Sequence, residues 1–334
     1  MTTQSRQTNV MSNKLFLGID TSNYTTSVAL CDIDGNVVLN AKKLLPVKDG
    51  ERGLRQSDAL FAHTKNLPVV MAELDEFLAA DYPDREILAV GCSARPRDVE
   101  GSYMPCFLSG VAVARSVSAA LGCKCYEFSH QNGHIMAALY SSGKTELLDG
   151  AEKFAAFHVS GGTTEILLVT PSERGFEVTI EGGTLDMNAG QAIDRTGVLM
   201  GLSFPCGRQM ERICLERGDI PRIKTAISVK GMDCNLSGLE NLCSKMYAET
   251  NDKAMVSAYC FDFIADTLYR LTDNLRLVYP DIPVIYAGGV MSNGRISARL
   301  NEREGVYFAK PEFSSDNAAG VALLCRREYV NIQK

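Results

Sequence analysis

The chain lacks several things that would have decided its class at once. No uninterrupted apolar run approaches the roughly 20 residues of a membrane span, and the polar N-terminus carries no secretion-signal core. A membrane protein is therefore not expected, and a cytoplasmic enzyme is. Basic residues are not in excess: 34 Lys and Arg against 40 Asp and Glu leave a net charge of −6. A protein that grips nucleic acid alone usually carries a basic surface, so a nucleic-acid substrate would need a local patch or partner subunits. The 11 cysteines include no repeated pair at zinc-ribbon or redox spacing, and only Cys123 and Cys125 sit close together. Buried, reduced thiols are the expectation. Prolines number only 11, and 46% of the 334 residues are hydrophobic, enough for a sizeable core and two domains.

What is present centres on residues 157–169, Phe-His-Val-Ser-Gly-Gly-Thr-Thr-Glu-Ile-Leu-Leu-Val. Two β-rich runs joined by a tight glycine turn read as a hairpin whose turn exposes backbone N–H groups beside Ser160, Gly161, Gly162 and Thr163, a combination that holds phosphate. Taken singly, the motif is equally an ordinary hairpin. A cruder copy lies at residues 15–30, where a strand ends in Asp20, Thr21 and Ser22 and a second strand follows. Each copy leads into a further turn and strand, which reads as an internal duplication. Residues 1–13 are polar and aperiodic and read as a flexible tail, with Met11 an alternative start. The lobes are expected at 14–150 and 151–334, the second with a helical insertion and a returning C-terminal helix.

Along the first lobe, a charged, glycine-broken loop at 48–57 reads either as a solvated connection or as a lid that meets a polyanion. A helical pattern follows from about 58 to 80, with Pro68 inside it. After a buried strand at 87–92 comes a small-residue helix at about 106–121, suited to packing on a sheet or to forming a subunit interface. A short strand then leads into Ser129, a candidate N-cap, and into His130 and His134. Imidazoles four apart lie on one helical face and can converge on one metal ion; capping or surface histidines are the plainer alternative. Position 131 is Gln, so the general base of a zinc protease is missing and proteolysis is not supported.

In the second lobe, residues 181–195 read as a glycine turn entering a helix, with Asp186 and Asp194 two turns apart and Gly190 keeping the helix slim. The carboxylates suit ribose hydroxyls or a hydrated metal, or Asp186 simply caps the helix. A second turn at 201–208 enters another helix. A long amphipathic helix at 254–278 precedes the buried strand 284–287, which ends in Gly288, Gly289 and Asn293. Strand, Gly-Gly, helix is an arrangement in which backbone closely approaches a nucleotide. Asp316 stands in the loop before the last helix, where it is placed to be a third, oxygen ligand for the histidine-bound ion.

Two hairpin-bearing α/β lobes in tandem resemble the actin, Hsp70 and sugar-kinase superfamily, whose fold would place a nucleotide cleft between the lobes. The ordered motifs also resemble the TsaD/Gcp family of tRNA threonylcarbamoyl transferases, formerly described as O-sialoglycoprotein endopeptidases, over residues 15–324. The resemblance implies one divalent metal, iron or zinc, on His130, His134 and Asp316. It implies an adenine nucleotide (ATP, AMP or threonylcarbamoyl-AMP) at Val159, Ser160, Gly161, Gly162, Thr163, Asp194, Gly207 and Asn293, with Gly288 and Gly289 beside it. The implied reaction moves the threonylcarbamoyl group from its adenylate to N6 of adenosine 37 in tRNA, with companion subunits in a homodimer or heterodimer and no membrane. Metal polarisation of the carbonyl is chemically reasonable there. Ser160 and Asp20 are the candidate catalytic side chains.

The departures cluster on one side. Where the family usually reads Gly-Ile-Glu-Thr-Ser-Cys-Asp-Glu-Thr, this chain has Asp20, Asn23, Tyr24 and Thr25 in place of Glu, Cys, Asp and Glu. Thr163 replaces a common histidine, Gln56 to Phe61 replace the Pro-Glu-Leu-Ala-Ser-Arg loop ahead of His63, Met187 replaces the second Asp of a pair, and Cys206 interrupts Pro-Gly-Gly. The alternatives are accordingly a paralogue with another acceptor, a complex scaffold, or an ATPase or kinase with Asp20 near the γ-phosphate.

Overall fold

The structure is a computed structural model that describes residues 13–22, 24–46, 54–150, 152–172, 175–314 and 318–333. The tail at 1–12 and most of the charged loop at 48–57 thus lie outside the described residues. The chain divides into two compact units, Met1–Met136 with Asp316–Lys334, and Ala137–Ser315. The expected lobe boundary at 150/151 follows that division by about one helix, because the division falls inside α3.

In order, the first unit runs β1 (Lys14–Asp20), β2 (Thr25–Asp32), β3 (Val37–Leu44), α1 (Gln56–Asp81), β4 (Glu86–Arg95), α2 (Phe107–Leu121), β5 (Lys124–Ser129) and the start of α3 (His130–Ser142). The second continues through β6 (Phe154–Val159), β7 (Thr164–Ser172), β8 (Gly175–Thr184), α4 (Ala189–Leu199), α5 (Gly207–Arg217), β9 (Ser228–Lys230), β10 (Asp233–Asn235), α6 (Ser237–Thr250), α7 (Lys253–Val278), β11 (Val284–Ala287), α8 (Gly294–Leu300), β12 (Val306–Phe308) and the single turn α9 (Pro311–Ser314). α10 (Ala319–Ile332) then returns to the first unit.

The first sheet has the order β3-β2-β1-β4-β5, and the second β12-β11-β6-β7-β8-β10-β9. Read from β8 to β12, the second repeats the first: an antiparallel three-strand meander whose first strand continues into two parallel strands. The duplication seen in the hairpins therefore extends to both sheets. β10 and β9 are an addition at the β8 edge.

Residues 15–17 and 19 of β1 are fully or almost fully buried, as expected of a strand covered on both faces. Leu67, Val70 and Leu74 of α1 pack in the same core cluster as β1 and β2. On the other face, α10 lies so close that a Cβ at Gly18 would be 2.5 Å from the Ala318 carbonyl oxygen and the Ala322 nitrogen. α2 buries Phe107, Gly110, Ala114 and Ser118 within its own unit and leaves Leu108 exposed. In the second unit the buried face of α7 meets Phe157 and Tyr286, whose rings are 4.9 Å apart.

Two expectations change. Gly182 and Gly183 are not a turn but the end of β8, where the β9–β10 turn and β7 come so near that a Cβ would fall 2.2 Å from the Met232 carbonyl and 2.3 Å from the Thr164 carbonyl. Asp186 does not share α4 with Asp194. It precedes that helix and accepts hydrogen bonds from the Leu236 N–H (2.8 Å), the Ser237 N–H (3.2 Å) and the Ser237 hydroxyl (2.5 Å), capping α6 instead.

Candidate functional site

In the first unit, the chemistry gathers at the C-terminal ends of parallel strands. β1 ends at Asp20, β4 lies beside it, and β5 runs directly into α3, whose first residue is His130. Ser129 is the N-cap: its hydroxyl accepts the Asn132 N–H at 3.2 Å. That hydroxyl and the Asn132 side-chain amide both donate to Asp98 Oδ2 at 2.8 Å, and the Gln131 N–H donates to the Pro96 carbonyl at 3.1 Å. Arg95 holds the other oxygen of Asp98 from Nε at 2.7 Å. The loop after β4 thus clamps the helix that carries the histidines.

The His130 and His134 rings meet edge to face, 4.2 Å between centroids, with the Phe107 ring 6.2 Å from His130. Asp20, only 1% exposed, accepts the Ser22 N–H at 3.0 Å and the Ser22 hydroxyl at 2.9 Å, and its Oδ2 lies 3.2 Å from His130 Nδ1. Two adjacent imidazoles, one backed by a buried carboxylate, are a donor set that fits a borderline divalent cation. Among the described residues no three His, Cys, Asp or Glu side chains converge on one point. Asp316 lies outside the described residues.

In the second unit, the β6–β7 turn is held on itself and on a helix. The Ser160 hydroxyl accepts the Gly162 N–H at 3.2 Å and the Thr163 N–H at 3.1 Å, so two of the amides expected to face a ligand are turned onto Ser160. The Gly190 N–H donates to the Ser160 carbonyl at 3.1 Å and the Ala189 N–H to the Thr164 hydroxyl at 2.9 Å, which docks the α4 N-terminus on the turn. A Cβ on residue 190 would sit 2.6 Å from Gly161 Cα, so only glycine permits this approach. Gly288 has φ +102, and a Cβ there would fall 2.2 Å from the Val159 carbonyl oxygen. By contrast, a Cβ on Gly161, Gly162 or Gly289 meets no described atom within 4 Å. The backbone is open at those three positions.

Asn293, 7% exposed, N-caps α8 by accepting the Arg295 and Ile296 N–H groups at 3.1 Å each. The Arg295 guanidinium is gripped by Asp262 at 2.8 and 2.7 Å and by the carbonyls of Ile220 and Pro221, which anchors the Gly288 to Asn293 turn. Asp194 Oδ1 accepts the Cys206 N–H at 2.7 Å, immediately before Gly207 opens α5. Burial pushes the Asp194 carboxyl up, against that hydrogen bond. Val159, Ser160, Gly161, Gly162, Thr163 and Gly288 are therefore in one place with Gly190, while Asp194 and Gly207 adjoin it through α4.

Residues 45–323 match the TsaD family, described as tRNA N6-adenosine threonylcarbamoyltransferase. The chain belongs to this family. Solved structures share the fold at low identity. Component A of (R)-2-hydroxyglutaryl-CoA dehydratase from Acidaminococcus fermentans is 14% identical with a TM-score of 0.52, covering 95% of this chain and 99% of that one. HypF, solved with phosphate and nucleotide bound, is 13% identical with a TM-score of 0.59, covering 97% of this chain and 47% of that one, so the chain spans about half of HypF. The activator of 2-hydroxyisocaproyl-CoA dehydratase from Clostridium difficile, with bound ADPNP, is 11% identical with a TM-score of 0.51, covering 96% and 97%. The two-unit α/β fold of the actin, Hsp70 and sugar-kinase kind is thus shared by this TsaD family chain. Among the described residues no helix is long and apolar enough to cross a membrane.

Some contributors had no local signal. Asp98, Asp262 and Arg295 reach partners more than 30 residues away. His63 is fully buried with its Nδ1 2.9 Å from the Thr26 hydroxyl, a contact inside the first unit, next to the β2 residue Ser27 that pairs with Asp20.

Proposed function

We propose that this chain transfers the threonylcarbamoyl group from its adenylate to N6 of adenosine 37 in tRNA, working in the cytoplasm with companion subunits. The observation that carries the reading is the His130–His134 pair, backed by Asp20, in a chain of the TsaD family. His130 and His134 would hold one divalent ion, iron or zinc, and Asp316 joins them from the resemblance alone. A bound cation supplies Lewis-acid polarisation of the threonylcarbamoyl carbonyl.

The rest of the work falls to the chain's own groups. The Ser160 and Thr163 hydroxyls and the Gly161 N–H orient the adenylate phosphate, the open backbone at Gly161, Gly162 and Gly289 admits the ligand closely, and Asp194 offers its carboxylate to ribose hydroxyls. N6 of the adenosine forms the new bond to the carbamoyl carbon. The bond from that carbon to the phosphate oxygen breaks, AMP leaves with both electrons, and the attacking amine gives up a proton. No side-chain nucleophile is needed. Ser160 has its hydroxyl oxygen engaged by two turn amides, which suits binding better than attack.

The ATPase or kinase alternative asks Asp20 to act near a γ-phosphate. Asp20 is buried, and Ser22 and His130 occupy both its oxygens, which disfavours that role. A paralogue with another acceptor draws support from Tyr24, 43% exposed where the family usually has aspartate. The test is transfer from purified threonylcarbamoyl-adenylate to tRNA with companion proteins supplied, for wild type and His130→Ala/His134→Ala. Transfer by wild type alone supports the reading. Metal binding without transfer moves the acceptor elsewhere.

A further inference from the structure

We infer that Asp20 is a positioning residue, which fixes His130 in the tautomer that carries its lone pair on Nε2. This rests on the proposed metal role of His130 and goes beyond it, since it assigns the group that decides which ring nitrogen ligates.

A buried carboxylate is costly unless hydrogen-bonded, and this one is bonded at both oxygens. Ser22 donates its N–H to Oδ1 and its hydroxyl to Oδ2, so the plane of the carboxylate is set by its own turn. The same Oδ2 lies 3.2 Å from His130 Nδ1. An ionised carboxylate only accepts hydrogen bonds, so the nitrogen facing it must carry a proton; in a neutral imidazole the other nitrogen then holds the lone pair. His130 Nε2 is that nitrogen. A metal-ligating histidine commonly donates its remote N–H to a carboxylate in this way, which also raises the basicity of the ligating nitrogen.

The root of the ring is held as firmly as its Nδ1 edge. His130 is the first residue of α3, and the phase of that helix is set by the Ser129 cap and by Asp98, which accepts from both Ser129 and Asn132. A ring anchored through its helix and through Nδ1 has little orientational freedom. Asp20 comes from β1 and His130 follows β5, two strands that flank β4, so tertiary structure alone brings them together.

The experiment has two arms on the full-length protein. The first records imidazole nitrogen and proton NMR correlations of the metal-free protein near pH 8, with His130→Ala to assign the signals. The expected result is the Nδ1–H tautomer for His130 in wild type and loss of that preference in Asp20→Asn. An Nε2–H tautomer in wild type overturns the inference, whether or not the variant folds. The second arm titrates Zn²⁺ and Co²⁺ into wild type, Asp20→Asn and Asp20→Glu. Loss of an outer carboxylate of this kind typically weakens metal binding about 10- to 100-fold, and that is expected for Asp20→Asn, with partial recovery in Asp20→Glu and a changed cobalt absorption band. Unchanged affinity in a folded Asp20→Asn overturns it. If wild type binds neither ion, or if binding survives His130→Ala/His134→Ala, the metal reading itself fails, and the tautomer measurement still decides the role of Asp20.

Discussion

The two units share a five-strand order and put different chemistry on it. In the first, β1 ends in a carboxylate and β5 feeds a helix that opens with a histidine, so the strand ends gather titratable side chains. In the second, β6 ends at Val159 and passes into Ser-Gly-Gly-Thr, and the neighbouring β11 passes into Gly-Gly, so the strand ends present backbone. Both hairpin turns are pinned by a helix glycine, Gly110 donating its N–H to the Thr21 hydroxyl at 3.1 Å and Gly190 to the Ser160 carbonyl at 3.1 Å. In the proposed function, the scaffold sets where each unit would meet a ligand, and the residues placed there set what kind of ligand that would be.

The difference predicts unequal tolerance to mutation. The largest stability effect is expected at Asp262, which is buried and whose loss leaves the partly buried Arg295 guanidinium without its ion partner and the Ile223 N–H without its acceptor. Asp262→Ala should cost about 3–5 kcal/mol in denaturant unfolding. A smaller loss, with stability close to wild type, would mean that the Gly288 to Asn293 turn does not depend on that pair. Next comes Gly288→Ala, where a positive φ and a 2.2 Å approach to the Val159 carbonyl act together. About 2–3 kcal/mol is expected, together with weaker AMP binding by calorimetry. Gly289→Ala, whose Cβ has open space, serves as the control and should cost well under half of that.

The smallest effects are pH-dependent and opposite in sign. Burial works against the ionised Asp186 carboxyl, but the Ser237 hydroxyl and the N–H groups of Leu236, Ser237 and Met187 outweigh it and hold the group well below the usual carboxylate range. A depressed folded value contributes stability above the unfolded value, near 3.9, and loses it as pH falls through the folded one. Asp186→Asn should therefore lose less stability than wild type when acidified below about pH 4. Asp194 is pushed up by burial, so its contribution is present below the unfolded value and lost as pH rises through the folded one. Asp194→Asn should gain on wild type as pH rises through that window. Urea midpoints across an acid series test both, and slopes of the same sign would refute the assignment.

How much of this was legible in the chain follows from the range of each interaction. The hairpins, the Ser129 cap, the His130–His134 spacing and the glycine-limited α4 are local patterns, and each appears where the sequence puts it. Gly182 and Gly183 read as a turn because a glycine required by close strand approach looks, locally, like one required by a turn. Asp186 read as a partner for ribose hydroxyls or a hydrated metal, or as the cap of its own helix, since nothing nearby reveals a helix start 51 residues on. Asp98 and Asp262 were invisible for the same reason: their partners lie 31 and 33 residues away. Sequence motifs name the groups that touch a ligand more readily than the groups that hold those groups still.

The central claim is that the first unit holds the metal and the second the nucleotide. The most direct test measures metal content and AMP affinity together for His130→Ala/His134→Ala and for Gly190→Ala, which forces a Cβ against Gly161. The account predicts a crossover. The histidine variant loses its metal and keeps AMP affinity near wild type, whereas Gly190→Ala keeps its metal and binds AMP about tenfold more weakly, the equivalent of about 1.4 kcal/mol. Loss of both ligands in both folded variants, or retention of metal without the histidines, would contradict it.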